Sequence, residues 1–228
     1  MQPREFRAAL SLRLLIPLTA RPSLTRPSKL CQAEGCQAVA DCYGYHTLSC
    51  QGKGCQFIPR HDILKWAIAD LARKAGFHPE IEANVPCLGY SQSGGSQRLR
   101  PADVLIDGDG YQRTCFDVTV TSPLSAAKSR TLMGRVVGKL AVSKAVDKCH
   151  KHLASCSSAG YGFTPFAVDV CGIMEESGYH LIERFATRIA DYKGYPFYYA
   201  LSLCLRRISF AVQLGIARQL SPLLRPTY

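Results

Sequence analysis

Apolar positions fall on one helical face between residues 61 and 75, where Ile63 and Leu64 are followed by Ala67, Ile68 and Leu71, with Asp62 near the start and Gly76 as the stop. Residues 102–106 and 113–121 change to a strand pattern rich in Val, Ile, Thr and Phe, and the Asp-Gly-Asp-Gly run from Asp107 to Gly110 between them signals a turn. A β-hairpin is expected there. A long helical stretch follows from about Ser125 to Ala154, then a strand from Phe163 to Val170 stopped by Gly172, then helices over about Tyr179–Ala190 and Tyr199–Gln219. At the other end, Phe6 to Leu15 reads as an amphipathic helix leading into a Pro-rich connector, and Ser91 to Gln97 as a flexible loop. A hairpin set among helices predicts an α/β fold, a central mixed sheet flanked by helices.

Residues 31–58 break this pattern. They are rich in Cys, Gly and Gln with little periodicity, so they lack the means to build a core and are expected to wrap an ion. Five of the eleven cysteines lie between Cys31 and Cys55, which argues for a local metal site over disulfide stitching and for a reducing compartment. Cys31, Cys36, His46 and Cys50 offer three thiolates and an imidazole within twenty residues, with Gly35 and Gly44 letting the chain turn. That donor set suits a closed, structural zinc site, with Cys42 and Cys55 as competing ligands.

Charge narrows the partner. The 228 residues carry 28 Lys and Arg against 17 Asp and Glu, a net charge of +11, and such an imbalance is offset by a polyanion. DNA is the expected partner, with RNA as the alternative. Apolar runs are interrupted by Arg or Pro, so no membrane role is expected. The Arg-rich start, residues 1–30, has the composition of a mitochondrial presequence, the alternative being the amphipathic helix already described.

Within the hairpin, a loop centred on Gly110 sets Asp103 directly across from Asp117. Cross-strand neighbours on one face lie about 4.5–5.5 Å apart at Cβ, close enough for two carboxylates to share a divalent cation. The plain reading is that Asp103 ends a strand and Asp117 is solvated. Asp107 and Asp109 are turn residues.

The order Cys-x4-Cys, Asp41-x2-Gly44-x-His46-x3-Cys50, Arg60-His61, then Arg100-Pro101-Ala102-Asp103 and Asp117 resembles the C-terminal region of site-specific non-LTR retrotransposons, over roughly residues 28–172. There a Cys-Cys-His-Cys zinc knuckle precedes a restriction-enzyme-like endonuclease domain of the PD-(D/E)XK class. The resemblance implies DNA cleavage with Mg²⁺ or Mn²⁺ on Asp103 and Asp117, a nuclear setting, and a glutamate completing the metal shell, for which Glu80 and Glu82 ahead of the first predicted strand are available and Glu82 is the better candidate. It also implies DNA contacts at Arg60, His61, Arg100 and Lys144. Two departures stand out: Ala102 separates Pro101 from Asp103, and Thr119 stands where many such enzymes carry lysine. A migrated lysine is therefore required, and among Lys139, Lys144, Lys148 and Lys151 the segment Lys148-Cys149-His150-Lys151-His152 best matches the family's lysine-bearing helix. Lys148 and Lys151 are the catalytic candidates.

The expected organisation is an N-terminal helix and connector over 1–30, a zinc knuckle over 31–58, a nuclease domain over 59–175 and C-terminal helices over 176–228. No reverse transcriptase core is present, so the chain reads as a fragment of such an element or a gene derived from one. Three functions compete: a metal-dependent DNA endonuclease, a catalytically decayed knuckle that only binds nucleic acid, and an organellar RNA-processing factor.

Overall fold

A computed structural model describes residues 1–19, 30–31, 33–50, 52–54, 57–83, 85, 102–107, 112–124 and 136–224. Its elements are α1 (Pro3–Arg13), α2 (Phe57–Lys74), β1 (Pro79–Ile81), β2 (Val104–Ile106), β3 (Thr114–Thr121), α3 (Lys139–Ser158), β4 (Gly162–Asp169), α4 (Glu176–Lys193) and α5 (Phe197–Leu220), with a 3₁₀ turn over Ser221–Leu223.

The four strands form one mixed sheet in the order β1-β2-β3-β4. The first three are antiparallel and β4 runs parallel to β3 over eight residues, Thr114 opposite Gly162 through Thr121 opposite Asp169. A parallel neighbour requires a crossover, which α3 supplies. Period-two alternation then sorts β3 into two faces. Phe116 and Val118 join Val104, Ile106, Phe166 and Val168 in the main core, under α2, α4 and α5. Cys115 faces the other way, into a smaller cluster with Leu105, Phe163 and Cys156 of α3. Phe166 and Phe185 are fully buried in the main core, and truncating either to Ala costs about 3–5 kcal/mol.

Two boundaries differ from the sequence reading. Helix α3 begins at Lys139, not at Ser125, because Gly138 adopts the left-handed conformation (φ 76°) and residues 136–138 form a turn; residues 125–135 lie outside the described part. Glu80 lies within β1 and Glu82 just beyond it, where both were expected ahead of the first strand.

The terminal helices are integral to the core. α1 packs on α5, with Arg4 donating to the Leu224 carbonyl (2.6 Å) and Arg218 to Glu5 (3.2 Å). α5 packs against α1, α2 and α4. By length and composition alone Phe197–Leu223 is long and apolar enough to cross a membrane, with a mean hydropathy of 1.4, and half of its apolar window is buried within the protein, as a core helix also would be.

Candidate functional site

The Cys-Cys-His-Cys cluster assembles locally. The Sγ atoms of Cys31, Cys36 and Cys50 and a ring nitrogen of His46 all lie within 4.8 Å of one another. Cys36 Sγ is 3.3 Å from His46 Nε2, and Cys31 Sγ is 3.8 Å from Cys50 Sγ. Each thiol accepts a backbone N–H from two residues on: Cys31 from Ala33, Cys36 from Ala38, Cys50 from Gly52. Such bonds stabilise thiolates, the form that binds metal. For Cys36 the Ala38 N–H holds the thiol below its ordinary range, whereas burial pushes Cys31 up. Asp41 fixes the His46 turn by accepting the N–H groups of Tyr43, Tyr45 and His46 at 2.9, 3.0 and 2.6 Å. Gly44, at φ 80°, sits so close to α5 that a Cβ would meet Leu220 at 2.7 Å. The group can hold zinc. Cys42 is not in it, and Cys55 lies outside the described residues.

Arg60 joins this knuckle to the sheet. It is 5% exposed; Nη1 donates to the Leu48 carbonyl (3.1 Å) and to Gln219 Oε1 (2.9 Å), and Nη2 to the Val120 carbonyl (3.1 Å). Gln219 in turn donates to the Thr47 carbonyl at 2.8 Å. Burial lowers Arg60 to about 10, well above neutrality, so the guanidinium keeps its charge. Arg60, expected at DNA, commits three donor contacts to the knuckle, β3 and α5, and its buried stem walls the cleft described next.

The β2–β3 register, Val104 opposite Phe116, continues to place Asp103 opposite Asp117. The two carboxylates look into a cleft of about 380 Å³ between the start of α2 and the middle of α3, lined also by Ile58, His61, Thr119, Lys148, Lys151 and His152. Asp103 Oδ2 lies 3.0 Å from His61 Nε2 and accepts the Val118 N–H at 2.7 Å. Lys148 Nζ donates to Asp117 Oδ1 at 2.8 Å, and His152 Nε2 is 3.5 Å from Asp117 Oδ2.

Burial pushes Asp117 up to about 6 against the pull of Lys148, and the neighbouring Asp103 carboxyl adds to the rise. Asp103 moves the other way: burial opposes it, but the bond to His61, the Val118 N–H and Lys148 together hold it below the usual carboxylate range. His61 is raised, its contacts with Asp103 outweighing burial. His152, 2% exposed, is pushed down to about 4 by burial and by Lys151 and Lys148, so it is neutral near pH 7.

The remaining predicted residues divide. Glu82 stands next in register to Asp103, to whose carbonyl it donates its N–H (2.9 Å), yet its carboxylate is not in the cleft. A left-handed φ of 49° carries the side chain out of the row, where it pairs with Lys65. Lys65 is 3% exposed and also bonds Asp62 at 2.8 Å; a buried ammonium demands such counter-charge. Lys144 pairs with Asp147 at 2.7 Å on the exposed side of α3, and Lys151 lines the cleft with its side chain exposed. Arg100 lies outside the described residues. Sequence reasoning passed over His152 and Lys65. The first was legible as i+4 from Lys148 on one helical face, the second as i+3 from Asp62. Comparison with known protein families and with curated proteins returns no match for this chain.

Proposed function

We propose that the chain is a metal-dependent DNA endonuclease, of the restriction-enzyme-like class that its sequence resembles and tied to a zinc knuckle, which hydrolyses one phosphodiester. The observation carrying this reading is the cross-strand pair Asp103 and Asp117 facing one cleft, with Lys148 at 2.8 Å and His61 at 3.0 Å.

The donor set fits a hard divalent cation such as Mg²⁺ or Mn²⁺. Two carboxylates meet in one place where burial, with a smaller contribution from Asp103, raises Asp117 to about 6, and a cation held between them would offset both effects. Held by Asp103 and Asp117, such an ion would acidify bound water and screen charge on the scissile phosphate. His61 and the Val118 N–H fix the Asp103 carboxylate. Lys148 is placed to orient the attacking water, the role that Thr119 cannot fill because a hydroxyl carries no charge and has no usable pKa. A DNA substrate makes the nucleus the proposed location, with the mitochondrion as the alternative raised by the Arg-rich start.

Nicking of supercoiled plasmid with Mg²⁺ or Mn²⁺, comparing wild type with Asp103→Ala and Asp117→Ala, tests the reading. Loss in both variants with DNA binding intact supports it; wild-type nicking by either variant overturns it. One observation favours the binding-only alternative. The protein already pairs both carboxylates with His61 and Lys148, and Glu82 is committed to Lys65, so among the described residues two acids line the cleft. A wild-type chain that binds DNA and never nicks it selects that alternative.

A further inference from the structure

The end of α2 farthest from the cleft carries a second concentration of chemistry. Around the α4–α5 turn four tyrosines reach solvent: Tyr192 is 79% exposed, Tyr195 42%, Tyr198 81% and Tyr199 51%. Exposed aromatic rings at this density are not an economical surface for water, and tyrosine keeps a polar tip that tolerates wetting while the ring awaits a partner. Two of the rings are already ordered against each other, Tyr195 and Tyr199 edge to face at 5.2 Å.

Positive charge is interleaved with them. Arg184, Arg188 and Tyr192 follow at i, i+4 and i+8 along the exposed face of α4. Both guanidinium groups lie over Phe77, at 5.0 and 5.5 Å, which anchors this ridge to the chain just after α2. Lys193 Nζ sits 5.0 Å from the Tyr192 ring. Among the described residues of α4, Asp191 is exposed and Glu183 is bonded to His180 (2.9 Å), while nearby Asp70 is matched by Lys74 (2.9 Å) and Arg207 (3.3 Å).

We propose that this tyrosine and arginine ridge is a binding platform for single-stranded nucleic acid, in which unpaired bases stack on Tyr192 and Tyr198 and the phosphates run along Arg184, Arg188 and Lys193. Stacking needs bases with free faces, which a duplex does not offer, and the basic rows supply the complementary charge. Thirteen residues of α2 separate His61 from Lys74, roughly 20 Å at the helical rise. The platform is therefore distinct from the carboxylate cleft and does not depend on cleavage there.

The test measures anisotropy of labelled dT20, rU20 and a 20-bp duplex with the full chain, without added Mg²⁺ or Mn²⁺. Tyr192→Ala/Tyr198→Ala should weaken binding of at least one single strand by at least about fivefold, since each stacked base contributes roughly 1–3 kcal/mol. Tyr192→Phe/Tyr198→Phe, which keeps the rings, should stay within about twofold of wild type, as should duplex binding by the Ala pair. A smaller loss on both strands, an equal loss in the Phe pair, or a parallel loss on the duplex overturns the platform. So does a shift of oligomeric state in the Ala pair with binding unchanged, which would make the ridge a protein interface. Comparing dT20 with rU20 assigns the platform to DNA or RNA. Plasmid nicking by the same variants reports separately on the cleft, so the two readings fail independently.

Discussion

The Cys/His knuckle and the carboxylate cleft share a wall at Arg60, yet they are built on opposite plans. The knuckle draws all four donors from residues 31–50, soft atoms that converge because short turns bring them together, each thiol backed by an N–H two residues on. The cleft draws its groups from residues 61, 103, 117, 148 and 152, on two helices and two neighbouring strands of the sheet. A local site of soft donors is expected to draw order from an ion, because among its described residues the knuckle buries few apolar side chains besides Leu48 and Cys50. A distributed site is held by the core of the domain and exists before any ion arrives. In the cleft Lys148 and His61 are bonded to the two carboxylates, whereas in the knuckle Cys36 meets His46 and Cys31 meets Cys50.

The sharpest way to break this contrast is to remove the knuckle's metal. The purified, reduced chain should contain about one zinc, and chelation should deprotect the amides of residues 33–50 in hydrogen exchange while β3 and β4 stay protected; structural zinc contributes on the order of 10 kcal/mol or more in small domains. Absence of zinc, or equal loss of protection in the sheet, would show that the two regions are not separate in stability. Next, Asp103→Ala and Asp117→Ala should each reduce nicking to background without releasing zinc or DNA, and zinc release from either variant would mean that the regions are coupled. Third comes the tie itself. Arg60→Ala strands the Leu48 and Val120 carbonyls and the Gln219 amide oxygen, and should destabilise in urea unfolding by about 1–3 kcal/mol for each buried acceptor left without a donor. Its effect on the salt dependence of DNA binding should be negligible, and a loss of salt slope would return Arg60 to the DNA interface.

Smaller effects separate the two lysines of α3. Lys148→Ala should abolish nicking with little change in affinity, since Lys148 bonds Asp117 directly. Lys151→Ala should leave most of the nicking and lower the salt slope of DNA binding by about one, as the loss of a single phosphate contact does. Equal activity in both variants would place the required cation elsewhere.

Local information made some of this visible in advance. Helix α2, the hairpin and the facing of Asp103 and Asp117 follow from periodicity and from the turn signal in the sequence Asp107 to Gly110, because a strand's faces alternate every residue and a loop centre fixes which positions oppose. The knuckle's four donors were legible for the same reason: close spacing in sequence forces proximity in space. Lys148 was reached by a weaker route, from the absence of a lysine at Thr119 and the resemblance of its helix.

What the chain's pattern could not decide is where long-range packing sends a polar side chain. Arg60 is the fourth residue of α2, in a first turn where an arginine is ordinarily solvated; only the approach of α5 and the knuckle encloses it and converts it to a tie. Glu82 lies in the right row, yet its positive φ and the buried Lys65 take its carboxylate elsewhere. His152 becomes a neutral neighbour of Asp117 because α3 packs across the sheet over Phe163 and Cys115. Sequence alone determined which residues could reach one another through a turn, a strand pair or a helical face. Tertiary structure decided which charges were buried together, because desolvation depends on every element that closes over a site and not on the segment that carries the residue.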